Sequence, residues 1–206
     1  MFMSTAYRKI GIIREGKQPA DRRVPLTPAQ CKEVIARYPQ VDLVVQRSQV
    51  RAFSDSEYEA FEIPLVDDLD DRDLILGVKE VPLDMLLPDK AYLFFSHTIK
   101  QQAHNRKLLR TALDRRIRLM DHELLTNPHG ERVLAFGYWA GVVGAYNGIR
   151  GWQLMHGGPA LEPANVCHDL EELERHLHAY PLPKDLRIVL TGGGRDELHP
   201  SRPIHG

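Results

Sequence analysis

Through the first 121 residues, apolar runs of strand length alternate with segments whose apolar residues recur at helical spacing. YRKIGIIR, VDLVVQ, LILGV, AYLFF and IRLMD read as strands, and PAQCKEVIARY, SDSEYEAF and KQQAHNRKLLRTALDRR as helices between them. That alternation predicts an α/β fold built on a parallel sheet. Thr27 before Pro28 marks a helix start, an N-cap residue followed by proline at the first helical position. Beyond the sheet, Asn127-Pro128-His129-Gly130 separates two apolar runs and predicts a β-hairpin that closes the first domain.

The pattern then changes. In GYWAGVVGAYNGIRGWQLMH, small residues fall four apart on two adjacent stripes, Ala140, Gly144 and Gly148 on one and Gly137, Gly141 and Ala145 on the other. Glycine inside a helix costs up to about 1 kcal/mol relative to alanine, so a close-packed neighbour is expected there. GGPALEPANVCH reads as a linker and DLEELERHLHAY as a short charged helix. LRIVLTGGGR reads as a strand running into a glycine-rich turn of the kind that admits a pyrophosphate. The layout is thus an α/β domain over 1–136, a glycine-rich connecting helix over 137–156, a linker with a short helix over 157–185, and the start of a dinucleotide-binding domain over 186–206.

Composition narrows the partners. The chain has 206 residues, 43% of them hydrophobic, enough to bury a sizeable core. With 27 basic and 28 acidic residues the net charge is −1, so no global field draws it to nucleic acid or an anionic membrane. Cys31 and Cys167 are the two cysteines and form no CxxC pair, as in a reduced protein. No stretch approaches the roughly 18 apolar residues of a membrane span or resembles a signal peptide, so a cytoplasmic location is expected.

Two of the strand-like runs end in proton-transfer groups: LILGVKEV in Lys79 and Glu80, and AYLFFSH in His97. Parallel strands bring their carboxyl ends to one edge, where open α/β sheets bind ligands. Lys79 and His97 would meet there as tunable acid/base groups. The plainer alternative is that Lys79 and Glu80 form a solvated ion pair and that His97 is one of ten unremarkable histidines. Arg14, Arg22 and Arg23 follow the first strand, either as carboxylate-holding guanidiniums or as surface charges. His176 and His178 would point to different sides of a helix, so no metal site is expected.

IREGKQPADRRVPLTP, DLILGVKEVP, LLPDKAYLFFSHTIKQQ, LMDHELL and GERVLAFGYWAGVVGAYNGIRGW together resemble the N-terminal half of the saccharopine dehydrogenase and lysine-ketoglutarate reductase family. SHTIK and LILGVKEVPLDMLLP are most similar to the lysine-ketoglutarate reductase branch, and alanine dehydrogenase and the transhydrogenase α subunit are more distant relatives. The resemblance implies two α/β domains facing a cleft and an NAD(P)-dependent exchange of saccharopine with lysine and 2-oxoglutarate. Carried over by motif, Lys79 and His97 are its catalytic pair, and Arg23, Glu80, Glu123 and Arg132 its substrate-binding residues. Gly192, Gly193, Gly194 and Arg195 match the start of its cofactor motif. The tail DELHPSRPIHG has two prolines and no apolar periodicity, so no phosphate-binding helix is expected after that turn. NAD or NADP is therefore expected in the full-length family, but not tightly bound to this chain, which is expected to be inactive alone. Its expected partners are small molecules, with no nucleic acid and no membrane, and with self-association through the glycine-rich helix. An alanine dehydrogenase-like enzyme and a non-catalytic module that binds an amino acid or 2-oxo acid are the alternatives.

Overall fold

Capping chemistry fixes where the first helices begin. Thr27 Oγ1 accepts from the Gln30 amide at 3.3 Å and Gln30 Oε1 accepts from the Thr27 amide at 2.9 Å, a reciprocal cap that starts α1 (Pro28–Arg37) at the predicted residue. Ser54 and Glu57 repeat the device ahead of α2 (Asp55–Ala60). In the computed structural model, residues 8–157, 159–180, 182–184 and 186–189 are described. Clustering of contacts divides the chain into two units, 1–134 and 135–206.

The first unit holds six parallel strands: β1 (Lys9–Ile12), β2 (Asp42–Gln46), β3 (Leu65–Val66), β4 (Leu74–Leu76), β5 (Ala91–Phe94) and β6 (Arg118–Asp121). Their order is β3-β2-β1-β4-β5-β6. It reverses between β1 and β4, which opens a crevice outside their carboxyl ends. Both faces of the sheet are covered, as a parallel sheet requires. Ile12, Leu43 and Val45 join Cys31, Tyr58 and Ile63 in one apolar cluster. Ile13, Val44, Ile75, Tyr92 and Phe94 join Leu69, Leu86 and Leu108 in the other. The period of two along β2, with Val44 in one cluster and its neighbours in the other, follows from the pleat.

Two details depart from the sequence reading. Strand β3 has only two residues and too little apolar pattern to be seen in IPLVDD. The helix expected over 100–116 is shorter: α3 spans Arg106–Asp114, preceded by two three-residue 3₁₀ turns. Gln101 between those turns has φ 51°, a left-handed geometry that a continuous helix cannot contain. The crossover from β4 to β5 contains a single 3₁₀ turn, Leu83–Met85, and no α-helix. It is pinned instead by Tyr92 Oη, which accepts from the Leu87 amide at 2.8 Å, and by the Arg115 guanidinium, which donates to the carbonyls of Leu83 and Leu86. The predicted hairpin is minimal, one antiparallel bridge between Thr126 and Arg132 around Asn127 and Gly130.

The second unit contains α4 (Gly137–Met155) and α5 (Leu170–Ala179). Val142, Tyr146, Ile149 and Gln153 form the buried stripe of α4, where Tyr146 meets Leu161, Ala164 and Leu173. Among the described residues, nothing lies within 4 Å of where a Cβ would stand on Gly141, Gly144, Gly148 or Gly151, so no described neighbour within the chain covers these glycines. The apolar stripe, and not the small-residue stripe, makes the contacts. Nor is the segment before α5 a loose linker. The Leu161 amide donates to Gln153 Oε1 at 2.9 Å and its carbonyl accepts from Arg150 Nε at 2.8 Å, which straps the chain along α4. Within the apolar run expected as a strand, residues 186–189 have no strand structure, and Ile188 and Val189 are exposed.

Candidate active site

Four strands deliver charged side chains past their carboxyl ends, on both sides of the point where the strand order reverses. The chain leaves β1 through Arg14, Glu15 and Lys17, leaves β4 through Lys79 and Glu80, leaves β5 through His97 and Lys100, and leaves β6 through Asp121 and Glu123. The loops after β4 and β5 remain paired beyond the strands, since the Phe95 amide donates to the Val78 carbonyl at 3.0 Å. Lys79 and His97 follow that pairing within two residues on each side, so the two groups singled out from sequence share one edge.

The backbone under Lys79 is held from two directions. Glu15 accepts from the Val78 amide at 2.7 Å and from the Lys79 amide at 3.1 Å. The buried imidazole of His122 reaches the Gly77 carbonyl through Nε2 at 3.1 Å. Donation to a carbonyl places the proton on Nε2 and leaves Nδ1 a buried lone pair with no partner. Gly77 needs its small size here, because a Cβ would stand 3.1 Å from Ile13 Cγ2 and 3.6 Å from Glu15 Oε1. Burial raises the Glu15 carboxyl above its usual range, and the two amide hydrogen bonds oppose that shift. Lys79 itself is half-buried, and its charge helps to lower Asp21.

The ring of His97 lies in an acidic and cationic cluster. Glu123 Oε2 is 3.0 Å from His97 Nδ1, and Glu123 Oε1 is 3.1 Å from Lys100 Nζ and 3.2 Å from an Arg132 nitrogen. The hydrogen bonds from His97 and Lys100 hold the Glu123 carboxyl below the usual range. Lys100 Nζ is also 3.2 Å from His97 Nδ1, so the lysine and the carboxylate compete for that nitrogen. With the carboxylate accepting, Nδ1 carries the proton and Nε2 is the basic atom. His97 has φ 54°, an uncommon backbone conformation for a residue with a side chain.

Glu80 is partnered by Lys17 Nζ at 2.7 Å, not by its neighbour Lys79. Burial pushes the Glu80 carboxyl up, and the Lys17 hydrogen bond helps bring it below its usual range despite that. Arg23 forms a two-pronged pair with Asp21, Nε to Oδ1 at 3.0 Å and a terminal nitrogen to Oδ2 at 2.6 Å. That pair is the main reason the Asp21 carboxyl is lowered and the guanidinium raised, and Glu15 contributes to the latter.

Of the sequence-predicted residues, His97, Glu123 and Arg132 come together in one cluster, while Lys79, Glu80 and Arg23 border it on the β1 and β4 side. Gly192, Gly193, Gly194 and Arg195 lie outside the described residues. Sequence reasoning passed over Glu15, Lys17, Lys100, Asp121 and His122. The signal that marked Lys79 was available for Asp121, which also ends an apolar run, and for Glu15, which sits beside the Arg14 already noted. Among the described residues no group of three histidine, cysteine or acidic side chains could hold a metal, and no helix is long and apolar enough to cross a membrane.

Comparison with known proteins finds relatives of this chain among dehydrogenases. A family model described as the N-terminal domain of alanine dehydrogenase/PNT matches residues 11–143. "Alpha-aminoadipic semialdehyde synthase" of Arabidopsis thaliana is 42% identical over 146 residues, 69% of this chain and 14% of that protein. "Saccharopine dehydrogenase (NAD(+), L-lysine-forming)" of Emericella nidulans is 37% identical over 160 residues, 73% of this chain and 41% of that protein. The chain thus spans less than half the length of either relative. A solved L-alanine dehydrogenase superposes with a TM-score of 0.55 at 17% identity, covering 73% of this chain and 43% of that one, a likeness of fold.

Proposed function

We propose that this chain, which belongs to the alanine dehydrogenase/PNT N-terminal-domain family, is the substrate-holding and proton-transfer part of an oxidoreductase that interconverts saccharopine with lysine and 2-oxoglutarate. The observation that supports the reading is that Lys79 and His97 follow adjacent paired strands at the carboxyl edge beside the β1/β4 reversal, with the His97 ring in contact with Glu123. Saccharopine has three carboxylates and a secondary amine. Several cations stand at this edge, Lys79 and, in exchangeable ion pairs, Lys17, Lys100, Arg23 and Arg132, so more than one carboxylate could find a partner there, whereas alanine has one. The names of the 42% and 37% identical relatives point the same way.

A nicotinamide cofactor, when bound, would supply the hydride acceptor for the carbon bearing the secondary amine. The described residues include no glycine-rich turn between a strand and a helix to hold its pyrophosphate, so only the proton chemistry is assigned to them. Oxidation leaves an imine on the substrate, water adds to it, and the resulting carbinolamine expels lysine. The amine nitrogen and the water oxygen each exchange a proton on the way. His97 Nε2 serves one of these transfers and Lys79 the other. Arg23 and Arg132 hold carboxylates, which fixes the reacting carbon in place.

Calorimetry of the chain with saccharopine, lysine, 2-oxoglutarate, glutamate, alanine and pyruvate tests the reading. Binding of saccharopine or 2-oxoglutarate, weakened by Arg132→Gln, is the expected result. Binding of alanine or pyruvate alone would instead make the chain part of an alanine dehydrogenase, and binding of none would overturn the assignment. Saccharopine binding in a complete enzyme that turns none over would identify a non-catalytic module.

A further inference from the structure

We propose that Asp121 is a positioning residue for the candidate proton-transfer group His97: its buried carboxylate holds the left-handed turn at His97 and draws Glu123 to the imidazole. The inference rests on the reading of His97 as an acid/base group, but its geometry stands apart from any turnover. Asp121 ends β6 in register with Phe94 of β5, so its side chain lies beside the first residues to leave β5. It is 7% exposed. Oδ2 accepts from Ser96 Oγ at 2.6 Å and from the His97 amide at 2.9 Å, while Oδ1 accepts from the Glu123 amide at 2.8 Å.

One carboxylate therefore fixes the backbones of both partners in the 3.0 Å contact between His97 and Glu123. A residue with a side chain resists φ 54°, and such a conformation persists only where its surroundings impose it. Asp121 supplies that constraint from one side. From the other, Asn105 Nδ2 donates to the His97 carbonyl at 3.2 Å. Ser96, fully buried, ties the turn further through its contact with Thr98 Oγ1 at 3.0 Å. An asparagine at 121 cannot replace the carboxylate, because its one oxygen can serve only one of the two sides and its amide NH₂ must then face another donor.

The test is ¹H–¹⁵N spectroscopy of the histidine rings in the chain itself, with Glu123→Gln as the reference for a ring that has lost its carboxylate. Asp121→Asn is expected to shift the His97 ring signals toward those of Glu123→Gln while amide signals from β1 and β4 stay in place. Should that variant not fold, Asp121→Glu keeps the charge on a longer arm and is expected to displace the same ring signals. Unchanged His97 signals in either folded variant would overturn the proposal. In the complete enzyme, Asp121→Asn should lower kcat on the order of tenfold to a hundredfold with little change in KM, and should add nothing to His97→Gln. A His97→Gln enzyme with normal turnover would remove the catalytic reading, and the ring signals would still decide whether Asp121 positions His97.

Discussion

The two edges of the same sheet both collect charge, yet they use it differently. At the amino edge, Arg72 lies between Asp42, at 2.8 Å, and its neighbour Asp71, Lys9 reaches Asp71 at 3.4 Å, and Arg116 forks onto Asp89 at 2.6 Å in both arms. The carboxylates there are more than half exposed, whether in the small network of Lys9, Asp71, Arg72 and Asp42 or in the separate Arg116 pair. At the carboxyl edge, Asp121 is buried and holds backbone amides, Glu15 does the same from a half-buried position, and Glu123 gathers the His97 ring and two cations, Lys100 and Arg132, from the loops after β5 and β6. Left-handed residues do not separate the edges, since Asp89 and Arg116 share that conformation with His97. What separates them is burial: shielded carboxylates that fix the loops carrying other charged groups, against exposed carboxylates in surface ion pairs.

The sharpest way to break this comparison is by substitution in a complete enzyme containing these residues. Lys79→Met and His97→Gln are each expected to lower turnover by about 10²–10⁴-fold, the usual effect of losing a proton-transfer group. Arg116→Gln at the amino edge should leave turnover within about twofold, as exposed pairs contribute little. Steady-state kinetics of the three variants decides the matter. Losses under tenfold for both Lys79 and His97 would erase the functional distinction between the edges.

Arg23 gives the next largest expected effect. Its fork is already matched to Asp21, and a lysine would keep the charge but not the two parallel contacts. Arg23→Lys should weaken saccharopine binding about 10-fold to 100-fold by calorimetry, the scale of one charge-assisted pair. Unchanged affinity would class Arg23 with the amino-edge arginines.

Legibility in the sequence follows the range of the interaction. The parallel sheet was readable because each strand is a local apolar run, and the start of α1 because Thr27 and Gln30 are three residues apart. Lys79 and His97 stood out because both follow such runs. Glu15 did not, since its role exists only when residues 63 and 64 positions away are brought beneath it. The glycines of α4 form a regular local pattern, and within the chain the described residues meet the apolar stripe of α4 and leave the glycines clear. Strand β3, two residues long, is defined by pairing with β2 more than by its own sequence.

A smaller effect should appear in stability at the amino edge. The guanidinium of Arg72 is buried while its carboxylate partners are in water, so Arg72→Met leaves Asp42 and Asp71 hydrated and no acid stranded. Thermal unfolding should begin a few degrees lower, with ligand affinity unchanged. A loss of affinity with no loss of stability would show that the amino edge communicates with the site after all.

The smallest predicted effect isolates one hydrogen bond beneath the site. Burial holds His122 below the usual imidazole pKa, against the opposing influence of the Gly77 carbonyl, so the folded chain keeps a neutral ring that the unfolded chain protonates more readily. The unfolded state therefore binds more protons as pH falls through about 6.5, the ordinary value for histidine. The contribution of His122 is complete above that pH and declines below it, until the folded ring is itself protonated. Urea midpoints measured from pH 7.5 to 5.5 should show that decline in the parent chain and a flatter profile in His122→Asn, which retains an amide donor for the Gly77 carbonyl but does not titrate. Equal slopes in the two proteins would mean that His122 titrates alike in the folded and unfolded chain, and a parent chain that gains stability as pH falls would mean that the Gly77 carbonyl at the base of the Lys79 loop is held by an imidazolium.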